Sequence, residues 1–176
     1  MSGTPTTNSG PAGRERDAER RSRADYTGGV YGSMLAASVV IGVGTLGALP
    51  RVELVALLLL TGAVFWLAHV HAHLFGARLA QGAVGHRAVL QVCREEWPIL
   101  EAAVPPAAAV AISPLLPLDM PGTLWLALSV AVAGQVGWSL AAAARAGASG
   151  KQMAVSASVN LLLGLLIIIL KIVLKE

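Results

Sequence analysis

The sequence predicts an all-α protein, a polytopic transmembrane helix bundle of five spans with its N-terminus in the cytoplasm. Three observations predict this. Hydrophobic residues make up 55% of the chain and charged residues only 13%, about half the usual share of charge in a globular protein. The apolar residues come in long blocks, including 54–68, 124–132 and 161–170, and runs near 20 residues match a hydrocarbon layer roughly 30 Å thick. Lys and Arg are distributed unevenly among the loops between those blocks. A soluble fold of 176 residues has too little interior for this much apolar surface.

Residues 1–25 form the first region. A Ser/Thr/Gly/Pro-rich stretch gives way to mixed charge from Arg14 to Asp25, and almost nothing there can be buried, so a disordered charged tail is expected. Arg20-Arg21 suggests a twin-arginine leader. The apolar segment behind it is too long for a signal-peptide core and lacks a small-residue cleavage site, which argues against that.

Residues 26–176 form the bundle, with spans at 28–49, 52–75, 99–118, 123–144 and 153–174. Each is long enough to cross as a helix, which satisfies its own backbone where water is absent. The first ends at Pro50. The third is interrupted by Pro105, Pro106, Pro114 and Pro117.

Orientation follows from the basic flanks. Five tail arginines, then Arg78, Arg87 and Arg94, then Arg145 and Lys151 lie on one side. Arg51, Lys171 and Lys175 lie on the other, so the ratio is ten to three. The richer side is the cytoplasm, which places the chain in the cell membrane as a multi-pass protein. A re-entrant hairpin turning at Pro105-Pro106, with four true spans, leaves the ratio unchanged. Five spans are preferred because the third segment is long enough to cross and ends in an acidic loop at Asp119.

The stretch 76–97 is too polar to span. Leu79, Ala83, Leu90 and Cys93 recur at roughly helical spacing among Arg78, Arg87, Arg94, Glu95 and Glu96. That pattern fits a helix in the membrane interface or a connecting helix on the protein surface. Cys93 is the single cysteine; it excludes an intrachain disulfide and a cysteine-based zinc site, and a free thiol is expected. The net charge of +3 is explained by topology, so no nucleic-acid partner is implied.

Candidate chemistry sits where spans two and three meet the cytoplasmic face. His69 and His73 are four residues apart and share a helix face, and Glu101 falls inside the apolar run of span three. At 1.5 Å per residue His69 lies about 10 Å and Glu101 about 6 Å below that face, so the three can occupy one level. Tyr31, Gln135 and Asn160 fall in the same half as a surrounding polar shell, and Ser33 accompanies Tyr31. An ionisable group at such depth costs roughly 2.5–3.5 kcal/mol on insertion scales and usually faces a partner or a water-filled cavity. Pro105 and Pro106 remove two backbone donors just beyond Glu101, which frees carbonyls there.

Three functional readings remain open on these residues. A proton or cation site would use Glu101 as the titrating group and His69 as its proton partner, in a channel, a transporter or a pH-sensitive subunit. An accessory or scaffold protein would use the same polar groups only to lock helices together. A membrane metalloenzyme would use His69, His73 and Glu101 to hold a divalent metal, although the glutamate that follows the first histidine in zinc proteases is missing. No phosphate loop, nucleophile elbow or Cys-x-x-Cys is present. No cofactor other than that metal is implied.

Small residues predict close helix contacts. Span one carries Gly28, Gly32, Gly42, Gly44 and Gly47, and span four has Ser129, Ala133, Gly137 and Ala141 at four-residue intervals. These faces suit the bundle interior, a homo-oligomer or a partner membrane subunit. Span five, whose stretch 161–170 is apolar all round, is expected against lipid.

The stretches Phe65-Trp66-Leu67-Ala68-His69-Val70 and Glu95-Glu96-Trp97-Pro98-Ile99-Leu100-Glu101-Ala102-Ala103-Val104-Pro105-Pro106 resemble segments of small integral membrane proteins of high-GC Gram-positive bacteria. The resemblance covers spans two and three and extends toward Tyr31-Gly32. It implies a membrane bundle and carries no activity.

Overall fold

A computed structural model of the chain describes residues 11–46, 49–81 and 85–174. Seven α-helices follow in order: α1 (Pro11–Leu46), α2 (Arg51–Gln81), α3 (His86–Glu95), α4 (Trp97–Glu101), α5 (Val104–Ile112), α6 (Met120–Arg145) and α7 (Gly150–Leu174). A single 3₁₀ turn, Ser113–Leu115, follows α5. There are no strands among the described residues. Five segments are long and apolar enough to cross a membrane, the third being the broken run His86–Leu115.

The first helix corrects the expected tail. It starts at Pro11, so 11–25 are helical, while 1–10 lie outside the described residues. Two features of the sequence favour this. Asp17 precedes Arg21 and Glu19 precedes Arg23 by four residues, the spacing and order that support a helix. The apolar stretch behind them also supplies a nucleus already formed, so adding turns avoids the nucleation cost.

The third segment is where the two topologies differ. Pro105 and Pro106 cannot donate to the carbonyls of Glu101 and Ala102, four residues before them. The helix accordingly breaks at Ala102-Ala103 and resumes at Val104. The chain does not turn back there. Near its start Glu96 meets His73 late in α2, and near its end Ser113 and Leu118 meet Arg51 at the first residue of α2. The hairpin is therefore not formed; the segment runs the length of the bundle, because alanines on both sides of the break let it stay packed.

The remaining ends follow from local sequence. Asp119 caps α6, its carboxylate accepting from the Gly122 N–H at 2.7 Å. Past Arg145, Gly147 adopts φ +67°, and the Ala148 and Gly147 N–H groups return to the carbonyls of Ala143 and Ala144. That is a Schellman ending, which favours glycine at this position. Ser149 and Gln152 then form a reciprocal capping box at the start of α7.

The core lies toward the Arg51 end. Ala36, Ala37, Val40 and Val43 of α1 interlock with Leu54 and Leu58 of α2, Val110 of α5 and Ala127, Leu128 and Ala131 of α6. Antiparallel α1 and α6 share the most extensive helix contact, and α1 also lies close to α4. A Cβ at Gly29 would stand 2.3 Å from Trp138, and one at Gly32 would stand 2.5 Å from the Ile99 carbonyl oxygen. Other small residues are not used inside the bundle. Gly42 has open space beside it, and Ser129, Ala133, Gly137 and Ala141 are all exposed. On α6 the buried face is instead Leu124, Ala127, Leu128, Ala131, Val132, Gln135 and Ser139. Helix α7 is nearly all exposed, as expected from its apolar run 161–170.

Candidate functional site

The site is built where α2 passes the junction of α3 and α4. Pro98 occupies the first turn of α4, and the preceding Glu96 is left at its N-cap position. A carboxylate there complements the positive end of the helix. Glu96 is buried at 7% exposure. Its Oε1 accepts from His73 Nδ1 at 2.8 Å, and the imidazole itself stays mostly exposed. One turn earlier, His69 Nδ1 lies 2.9 Å from the Phe65 carbonyl. A carbonyl only accepts, so Nδ1 carries the hydrogen. Both imidazoles thus use Nδ1 to donate, and in each neutral ring Nε2 is the nitrogen free to take up a proton.

Aromatic rings frame the pair. The Tyr31 ring sits 5.2 Å from that of His69 and 6.3 Å from that of Phe65. Trp66 and Trp97 meet edge to face at 5.8 Å, and the Trp66 indole donates to the Cys93 carbonyl at 3.0 Å. Cys93 is a free, half-buried thiol.

The structure separates the residues that the sequence groups together. His69 and His73 share a face of α2, and Tyr31 joins His69. Glu101 does not join them. It is exposed and makes no hydrogen bond or ion pair with a described residue. The reason is angular: five residues along a helix is a rotation of about 140°, so Glu96 and Glu101 cannot face one neighbour. Ile99 and Ala102 pack against Gly32 of α1, and Leu100 and Ala103 against Gly62 of α2, which leaves Glu101 on the outside. The proposed metal ligands His69, His73 and Glu101 accordingly form no common centre. Among the described residues no group of three His, Cys, Asp or Glu side chains could hold a metal ion.

Gln135 and Asn160 form a second, distinct polar contact. Gln135 is fully buried between α6 and α7. Its Nε2 donates to the Asn160 side-chain and main-chain oxygens at 3.3 and 3.2 Å, while its Oε1 has no partner among the described residues. Ser139 and Ser156 extend the contact at 3.5 Å. This is interhelical fastening for α7, separate from the histidines.

Two polar features were not anticipated. Glu96 is one; counting 95–97 as loop hid it, although Pro98 marks a helix start and hence a cap two residues before. The other lies at the opposite end. There Arg51 donates to Ser113 Oγ at 3.1 Å and to the Leu118 carbonyl at 2.6 Å, and Thr123 donates to Ser113 at 3.1 Å. This network, with Ser113 and Thr123 wholly buried, closes the dry core. The polar residues are thus not confined to one half.

No protein-family model, no curated protein and no solved structure matches the chain. The fold and the site define it as an all-helical bundle with five membrane-compatible segments and a histidine–carboxylate pair at one end.

Proposed function

We propose that the chain is a multi-pass membrane protein, with its N-terminus in the cytoplasm, that handles protons or cations at the end of the bundle holding His69, His73 and Glu96. One observation carries this reading: a buried carboxylate is joined to an imidazole that still reaches solvent. An imidazole ring can take up a proton at one nitrogen and release one from the other. A proton taken from water at His73 Nε2 turns the hydrogen bond between the neutral imidazole and the Glu96 carboxylate into an ion pair, and the Nδ1 proton can then pass to the carboxylate, leaving the ring neutral with its hydrogen on Nε2. His69, one turn deeper, offers the next basic nitrogen. Glu101 serves no part of this path. The test is proton or cation flux in proteoliposomes. Flux that is present in the parent, is lost in His73→Ala and Glu96→Gln and persists in Glu101→Gln supports the role. No flux in the folded parent ends it.

A second reading is favoured by a different observation. The small residues Ser129, Ala133, Gly137 and Ala141 stay exposed along α6, which suits an accessory or scaffold subunit that packs against another helix. A stoichiometric partner, or a second copy bound along α6, supports it.

A further inference from the structure

We propose that the outer face of α3, continued by Trp97, is a docking surface for anionic phospholipid headgroups of the surrounding bilayer. The proposal rests on the membrane location given above and is independent of proton handling. Arg87, Leu90, Arg94 and Trp97 follow one another at intervals of three, four and three residues, and all four are exposed. The chain keeps a helical conformation through Glu96 (φ −90°, ψ −7°), so the stripe crosses the α3–α4 junction as one face. The opposite side, with Val89, Val92 and Cys93, is half-buried against the bundle. Helix α3 has no buried residue, and Trp97 rests edge to face on Trp66 of α2 while staying half exposed.

Charge selects the occupant. Neighbouring carboxylates are engaged elsewhere: Glu95 accepts from Gln91 at 2.8 Å and Glu96 from His73. Arg87 and Arg94, with Arg78 at the end of α2, make no ion pair with a described residue. Three guanidinium groups beside the apolar spans are thus without an acidic partner among the described residues. A guanidinium fork matches a phosphate with two parallel hydrogen bonds. Leu90 and Trp97, each 50% exposed, alternate with those charges, and indole prefers the headgroup boundary. A wholly soluble acidic ligand would leave both unsatisfied, whereas a phospholipid offers phosphate and acyl chain at the same place.

The purified full-length chain in neutral detergent is titrated with phosphatidylglycerol or phosphatidylcholine of matched acyl chains, and bound lipid is counted by native mass spectrometry. Preferential retention of phosphatidylglycerol is expected. R87Q/R94Q should weaken it roughly 30-fold, and R145Q/K151Q, which removes equal charge from another loop, should change it by less than about twofold. Equal retention of both lipids by the parent, or equal loss in both double variants, overturns the proposal. A photoreactive phosphatidylglycerol on the parent chain provides a check that needs no variant to fold. Labelling is expected within 86–97, and labelling only elsewhere overturns the proposal.

Discussion

His73 Nδ1 lies 2.8 Å from Glu96 Oε1, which ties the late turns of α2 to the first turn of α4. The pair is lopsided, for the imidazole side chain is 59% exposed and the carboxylate 9%. Deleting the exposed partner leaves a buried charge unpaired, whereas neutralising the buried partner keeps a hydrogen bond. His73→Ala is therefore expected to destabilise the bundle by about 1 kcal/mol, the low value reflecting solvent at the imidazole. Glu96→Gln should cost less, and the double variant His73→Ala/Glu96→Gln should recover part of the loss. Thermal unfolding of the four proteins in detergent measures the cycle. Strict additivity would mean that the contact contributes nothing.

Close approach of α1 to its neighbours makes a sharper prediction. A Cβ at Gly32 would meet the Ile99 carbonyl oxygen at 2.5 Å and Cα at 3.0 Å, and backbone cannot rotate out of the way. Gly32→Ala should therefore cost about 1–3 kcal/mol through overpacking. Gly42 lies on the same helix with nothing within 4 Å of such an atom. There the helix propensity of alanine dominates, and Gly42→Ala should stabilise by up to about 1 kcal/mol. Opposite shifts in unfolding temperature are the expected result. Equal shifts would mean that α1 is not seated against α4.

These glycines also show what a sequence can and cannot reveal. The number of membrane-compatible segments, their helical type and the exposed last span are all legible, because twenty-residue apolar runs admit few other structures. Which glycine is contacted is not legible, since Gly32 and Gly42 look alike until a partner helix is placed. The site divides in the same way. The i, i+4 spacing identifies the shared face of His69 and His73, while the depth estimate leads to Glu101 at the last residue of α4 and not to Glu96 at its N-cap. It selects the wrong carboxylate, because depth alone carries no angular information: Glu101 lies within the apolar run but on the outer side, and Glu96 lies at its edge but on the inner side. The Arg51–Ser113–Thr123 network was hidden for another reason. Isolated hydroxyls in apolar runs take on meaning only when a guanidinium is brought to them from 62 residues away.

Gln135 and Asn160 should respond unequally to substitution. Gln135 is wholly buried, with Oε1 unpartnered. Gln135→Met removes two donor contacts to Asn160 but also removes an unsatisfied acceptor, so a near-neutral change is expected, within about 1 kcal/mol. Asn160→Ala removes the side-chain acceptor and leaves more of the buried amide of Gln135 unpaired, which should cost about 1–3 kcal/mol. The measurement is unfolding of each variant, with hydrogen exchange along 150–174 to locate the loosened helix. A larger loss for Gln135→Met than for Asn160→Ala would reverse this account of how α7 is held.

The exposed stripe on α6 distinguishes the two functional readings. Ser129, Ala133, Gly137 and Ala141 repeat every fourth residue, a ridge that lets two helices cross right-handed at about −40° with their backbones close. A Cβ at Gly137 meets nothing within 4 Å in the isolated chain, so Gly137→Leu should leave monomer stability within about 0.5 kcal/mol of the parent, as for other surface sites. If α6 is the contact of an accessory assembly, the same substitution forces the helices apart and abolishes association. The check is disulfide cross-linking of Ala133→Cys in a Cys93→Ser background, with and without Gly137→Leu. Cross-linking that Gly137→Leu removes, with the unfolding temperature unchanged, assigns α6 to a subunit contact. Cross-linking that is absent from the start, with flux intact, leaves the histidine end of the bundle as the working part of the molecule.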